Sequence, residues 1–270
     1  MFDETPGDAV RQATDNSWFE RLARAGYVVS GLLHLLIAYT MIRLAFGDGG
    51  TADQSGALGI FASSPGGRFA LWIAVVALVA MALWRFAETL IGQHPADPAP
   101  HEDGGWFGRM QALSLAAVYV VFAWTAAQFA LGHGRSSGRQ NAGLSARLMS
   151  STAGQAVLVL VGLVIIGVGV YHVHKGVSRS FLDDLKSADN HAVAVTGVIG
   201  YTAKGLVLGA VGVLVIAAAL TADPAKATGL DGAVKTAAGW PAGQALLVVA
   251  ALGLAAYGVY SFVMARHARM

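Results

Sequence analysis

The chain contains no cysteine, which excludes disulfides, thiol catalysis and thiolate metal sites. Charge is scarce: 13% of its 270 residues are Asp, Glu, Lys or Arg, against about 25% in soluble domains. Proline is confined to Pro6, Pro65, Pro95, Pro98, Pro100, Pro224 and Pro241, none of them inside a long apolar run. Proline has no amide hydrogen and breaks helical bonding, so those runs are expected to be uninterrupted helices. The broken helices of many ion-coupled transporters are correspondingly disfavoured. Residues 1–17 are polar and acidic (Asp3, Glu4, Asp8, Asp15), without an apolar core before a small-residue cleavage site. No cleaved signal peptide is therefore expected, and the first apolar run should insert as an anchor. The formal charge of +2 is too small, and its basic residues too scattered, to point to nucleic acid. GxSxG, HExxH, a Walker loop and GxGxxG before a βαβ pattern are all missing. No enzyme activity, catalytic residue, metal site or cofactor is indicated.

What the chain has in abundance is apolar surface: 55% hydrophobic residues and a mean hydropathy of +0.57. Six runs reach or approach the ~20 residues that cross a bilayer as a helix: 26–46, 69–91, 110–131, 154–174, 196–220 and 242–264. A globule of this size needs polar outer faces and cannot hide six such runs. The reading is an all-α integral membrane protein with six transmembrane helices.

One phrase is written three times: SPGGRFAL from Ser64, STAGQAVL from Ser151 and WPAGQALL from Trp240. Aligned on Gly67, Gly154 and Gly243, the copies stand 87 and 89 residues apart, and 17 residues past each glycine is an aromatic: Trp84, Tyr171 and Tyr260. The earlier spans correspond too. WFERLARAGYVVSG from Trp18 resembles WFGRMQALSLAAVY from Trp106, and GYVVSG from Gly26 resembles GYTAKG from Gly200. The unit is span, loop of about twenty residues, glycine-started span. It gives three tandem helical hairpins at 18–93, 106–181 and 192–266, together one membrane bundle. Two spans per unit is an even number, so the repeats are parallel, related by an axis along the membrane normal. Approximate three-fold symmetry is expected, with small residues such as Gly205 and Gly209 letting helices approach closely.

The GGRFALW start, the closing WRFAE (Trp84 to Glu88), KGVSRSF from Lys175 and GYTAKG resemble a bacterial membrane family catalogued as domain of unknown function 1206. That family is built of three tandem two-span units, and the resemblance runs from about Trp18 to Arg266. The second repeat departs from it: Ser151-Thr152-Ala153 stands where a proline-containing start is usual. The resemblance implies an architecture and no reaction or ligand, so no site residue is carried over from it.

Of the 18 Lys and Arg residues, eleven fall on the membrane face of the termini and seven on the other. The positive-inside rule then puts both termini in the cytoplasm, and the family resemblance implies the plasma membrane of a bacterial cell. The loops at 47–67, 132–153 and 221–241 would face outward, their short apolar stretches forming either interfacial helices or a packed lid. On the inner side, 92–105 reads as a flexible linker and 178–186 as a short amphipathic helix.

Ionisable groups inside spans are expensive and carry a functional hypothesis by default. Arg85 and Glu88 are three apart on one helix face, and His172 and Lys204 fall at similar inner depth, so Arg85, Glu88, His172 and Lys204 form a candidate intramembrane polar cluster. It could hold an anionic head group or relay a proton. The preferred alternative pairs Arg85 with Glu88 and lets Lys204 snorkel to the interface. His34 is read as a buried polar residue. A haem between His34 and His172 is disfavoured, because His34 lies well inside its span whereas His172 is near the inner surface.

Three functions follow. The leading one is a non-enzymatic structural or accessory component that binds membrane lipid, a protein partner or a second copy of itself. The alternative is a small-solute channel or transporter, although equivalent positions (Glu88, Lys175, Met264; Ser30, Val118, Lys204) make no symmetric ring of charge. The third is a haem or redox protein.

Overall fold

The computed structural model describes residues 17–91, 106–186 and 191–268. The expected linker at 92–105 lies outside the described residues. Among those described are α1 Ser17–Ala45, α2 Gln54–Ser63, α3 Gly67–Ile91, α4 Trp106–Ala130, α5 Ser137–Met149, α6 Thr152–Val177, α7 His191–Thr221, α8 Leu230–Ala238 and α9 Gly243–His267. Two 3-10 turns, Ser180–Leu182 and Pro224–Ala227, complete them. The described residues form no strand, only an isolated bridge between Leu185 and Ala268.

Five helices are long and apolar enough to cross a membrane, in α1, α4, α6, α7 and α9, and the described part of α3 adds a shorter apolar segment, Gly67–Leu83. Each satisfies its backbone hydrogen bonds internally, as a hydrocarbon environment requires. Their outer faces carry large apolar side chains that water would not tolerate, among them Leu160, Leu163, Val164 and Val170 of α6. The chain is a multi-pass membrane protein.

The described residues form two compact units, 17–23 with 59–91 and 106–134, and 24–58 with 135–186 and 191–268. In the first, α3 and α4 pack together. Arg68 at the start of α3 reaches Gly132 just past the end of α4, so the two run antiparallel. The buried positions among the described residues of α4 are Ala112, Ala116, Ala123, Ala126, Phe129 and Ala130, a helical stripe made mostly of small residues.

In the second unit the closest pair is α6 with α7. A Cβ built on Gly169 would fall 2.7 Å from the Gly205 carbonyl oxygen, and one on Gly205 would fall 2.5 Å from that of Gly169. Seven residues along each helix the same reciprocal contact joins Gly162 and Gly212, at 2.8 and 2.7 Å. Seven-residue spacing keeps one seam facing the partner helix. The pair α1 and α9 repeats the arrangement: a Cβ on Gly31 would lie 2.9 Å from the Gly258 oxygen, and one on Gly258 would lie 3.0 Å from that of Gly31. In the repeat alignment Gly31 corresponds to Gly205, and Gly258 to Gly169. The sequence pairing of Gly205 with Gly209 is thus only half used, since a Cβ on Gly209 meets nothing within 4 Å.

The repeated phrase has a common geometric cause. A Cβ on Gly67, Gly154 or Gly243 would strike the carbonyl oxygen of Phe61, Leu148 or Ala237, at 1.6, 1.9 and 2.1 Å. In every case the carbonyl belongs to the residue six positions earlier. Each short loop helix therefore ends tucked against the start of the next span, and only glycine leaves room.

Within the second unit the loop segments pack as a lid rather than lying loose. Ala52, Ala57 and Val234 are buried with Ile37, Met41, Leu247 and Ala251 in one core, and Met149 and Ala227 pack with Leu158 and Ala218 in another. Polar links tie the loops: the Ala52 amide donates to Asp231 Oδ1 (3.1 Å), and the Ser137 amide to Ser55 Oγ (3.1 Å). Ser55 Oγ in turn donates to Asp53.

At the other end, the amphipathic helix expected at 178–186 is instead a 3-10 turn. Arg179 takes a left-handed conformation (φ 60°), which ends α6 and turns the chain inward. Phe181 and Leu185 are then fully buried instead of lying on the surface. The Lys186 amide donates to the His267 carbonyl at 2.7 Å, tying the turn to the end of α9. Arg24 Nη1 donates to the Arg266 carbonyl at 3.0 Å, satisfying one of the orphan carbonyls of that helix end.

Candidate functional site

Around the turn at Ser180–Leu182, the second unit is filled largely by aromatic rings. Phe181, Leu185, Tyr201, Tyr257, Tyr260 and Met264 form one buried cluster. Tyr201 of α7 stands at its centre. Phe181 stacks on it (5.3 Å between centroids, 17° between planes), and Tyr257 and Tyr260 meet it edge-on at 5.3 and 5.6 Å. Glycine creates the space: a Cβ on Gly197 would lie 2.3 Å from the Phe181 ring, and one on Gly200 would lie 2.6 Å from the Tyr257 backbone. The polar tips are satisfied locally, Tyr260 Oη donating to the Phe181 carbonyl at 3.1 Å and Tyr201 Oη pointing to Met264 Sδ at 4.0 Å.

Three of the residues singled out from sequence gather on these rings. Lys204 lays its ammonium over Tyr257, 3.9 Å from the ring centroid. His34 meets the same tyrosine at 4.7 Å between centroids, and His172 approaches Tyr201 at 5.9 Å. Arg85 is half-buried on α3 in the first unit, where Thr89 Oγ1 donates to its carbonyl at 2.9 Å. The side chain of Glu88 lies outside the described residues.

The hydrogen bonds define what the imidazoles can offer. His34 Nδ1 sits 2.7 Å from the Ser30 carbonyl, and His172 Nδ1 2.8 Å from that of Val168. A carbonyl can only accept, so Nδ1 carries the hydrogen in both rings. In each neutral ring Nε2 is then a bare acceptor. The described residues gather no set of three His, Cys, Asp or Glu side chains of the kind that holds a metal.

Charge on this site is lopsided. Lys175, near the end of α6, is neutralised by Asp184 at 2.7 Å, and its ammonium is also 5.7 Å from the centre of the Tyr201 ring. Lys204, thirteen residues into α7 and hence about 20 Å along it, has no carboxylate partner among the described residues. A cation at the middle of a span costs about 2.5–3.5 kcal/mol, of which a desolvated cation–π contact returns about 2. The ring faces therefore hold the ammonium without discharging it. It is half-buried, not sealed.

Sequence reasoning located the cations and missed the rings that seat them. Tyr201 was in view within GYTAKG, and Tyr260 as the repeated aromatic. Nothing local marked Tyr257 or Phe181, whose roles depend on α7, α9 and the inner turn meeting in space.

Comparison with known proteins adds the lineage. The chain is 29% identical over 259 residues to the uncharacterised protein YxxB of Bacillus subtilis (strain 168), covering 93% of this chain and 92% of that one. No solved structure matches it. A family described as Domain of Unknown Function matches in three tandem segments, 25–92, 111–179 and 199–268, which are the repeats read from the sequence. On those three matches, which cover most of its length, the chain belongs to the DUF1206 family.

Proposed function

We propose that this protein is a non-enzymatic, lipid-binding component of the bacterial plasma membrane, and that Lys204 holds the ionised group of an acidic lipid. The observation that carries the reading is the ammonium on Tyr257 without a carboxylate partner among the described residues. An anion beside it would relieve the remaining desolvation cost of the ammonium. The greasy outer faces of the spans supply the surface along which acyl chains lie.

The proposal includes six spans in three two-span units (18–93, 106–181 and 192–266), related by an approximate three-fold axis, with both termini cytoplasmic. Helix pairing supports the axis. The second span of each unit packs on the first span of the next: α3 on α4, α6 on α7, and α9 back on α1. The same pairing of a second span with a first span in all three cases is what equivalent repeats produce. The excess of Lys and Arg on the terminal face supports the orientation.

Native mass spectrometry of the detergent-solubilised protein, offered phosphatidylglycerol, oleate and phosphatidylethanolamine, tests the lipid assignment. Wild type is expected to retain an acidic lipid in preference to the zwitterionic one. Lys204→Met should weaken that retention about tenfold, equivalent to ~1.4 kcal/mol, while Lys204→Arg keeps it. Equal retention of all three lipids by wild type would remove Lys204 from any such role.

A further inference from the structure

The lid contains a cleft that the lipid site does not use. Its volume is about 470 Å³, within the range of small-molecule pockets. All three inter-span connections contribute to it: Thr51 from the first, Ser136 and Arg139 from the second, and Thr228, Asp231 and Lys235 from the third. Hydroxyls dominate the lining and no aromatic or large aliphatic side chain enters it, so an apolar ligand finds nothing to pack against.

Asp231 is 95% buried, since only 5% of its surface is exposed. Both carboxylate oxygens are committed: Oδ1 accepts from the Ala52 amide, and Oδ2 from Lys235 Nζ at 2.7 Å. Lys235 and Asp231 therefore neutralise each other. What remains is Arg139, exposed at the rim and in no ion pair among the described residues. Arg135, in the loop just before α5, is exposed and likewise without an ion pair among them. The net charge offered to a ligand is positive, and it is carried by guanidinium, whose planar fork suits an oxyanion.

We infer that this cleft binds a phosphorylated polyol, with Arg139 on the phosphate and the hydroxyls of Thr51, Ser136 and Thr228 on the polyol. The same chemistry exists as a free solute and as the head group of a lipid. The site stands apart from Lys204, which belongs to the aromatic cluster and does not line the cleft.

Two probes, applied in the Lys204→Met background so that the two sites are not confused, separate these sources. sn-Glycerol 3-phosphate is titrated into the detergent-solubilised protein by calorimetry, and phosphatidylglycerol is compared with phosphatidylcholine by native mass spectrometry. Arg139→Ala is expected to weaken binding of at least one probe about tenfold, with Arg147→Ala, at the far end of α5, unchanged. An effect on the first probe assigns a free solute, and an effect confined to the second assigns a lipid head group. Because Arg139 is exposed and unpaired among the described residues, its removal leaves the fold intact, which an unchanged melting curve verifies. Equal binding of both probes by Arg139→Ala and its parent, or binding of neither by the parent, overturns the inference.

Discussion

Replacing Gly205 with leucine is expected to lower the melting temperature of the detergent-solubilised protein by about 6–12 °C. Even a lone Cβ at this position would lie 2.5 Å from the Gly169 carbonyl oxygen and 2.7 Å from the Val173 side chain. The obstacle on one side is backbone, so relief requires α6 and α7 to move apart along the whole glycine seam. Overpacking of this kind costs about 3 kcal/mol, and each kcal/mol shifts the midpoint of a chain this size by roughly 2–4 °C. Gly209→Leu is the matched control. It sits one turn away on α7, faces open space, and should change the midpoint by no more than ~2 °C. If both variants melt alike, helix propensity rather than the close crossing explains the loss.

Phe181→Ala should be as damaging, through the opposite fault. Its ring is fully buried, stacked on Tyr201 and edge-on to Tyr260, in a recess that exists because residue 197 is glycine. Truncating a buried phenylalanine typically costs about 3–5 kcal/mol, transfer and cavity together, or roughly 6–20 °C in midpoint. Tyr260→Phe removes only the hydrogen bond to the Phe181 carbonyl, worth about 1 kcal/mol, and so should be much milder. Thermal denaturation of both, followed by tryptophan fluorescence, checks the order. Equal losses would mean that the inner turn is held by its hydrogen bond and not by the ring.

The architecture was legible because hydrophobic length and proline placement act locally. A run such as 242–264 must be a helix wherever it packs, and the phrase around Gly67, Gly154 and Gly243 repeats because each glycine is tucked against the carbonyl of the residue six positions before it, in the last turn of a loop helix. Local rules did less well where partners come from distant segments. Gly205 and Gly209 look equivalent in sequence, yet a Cβ would collide with the facing helix only at Gly205, because only that position aims its Cβ direction into the α6 backbone. Phe181, Leu182 and Leu185 suggest an amphipathic surface helix until the left-handed Arg179 turns Phe181 into the aromatic cluster.

The same division runs through the candidate site. That Lys204 and His34 would be unusual could be read directly, because an ionisable side chain in a long apolar run is costly in any fold. What only the tertiary structure decided is their environment: Tyr257 lies beneath both, and Asp184 answers Lys175 while Lys204 has no carboxylate partner among the described residues. Sequence determines which groups enter the membrane, since transfer free energy belongs to the residue. Which of them find a counter-charge depends on distances of a few ångströms between helices far apart in the chain, and those exist only once the helices have packed.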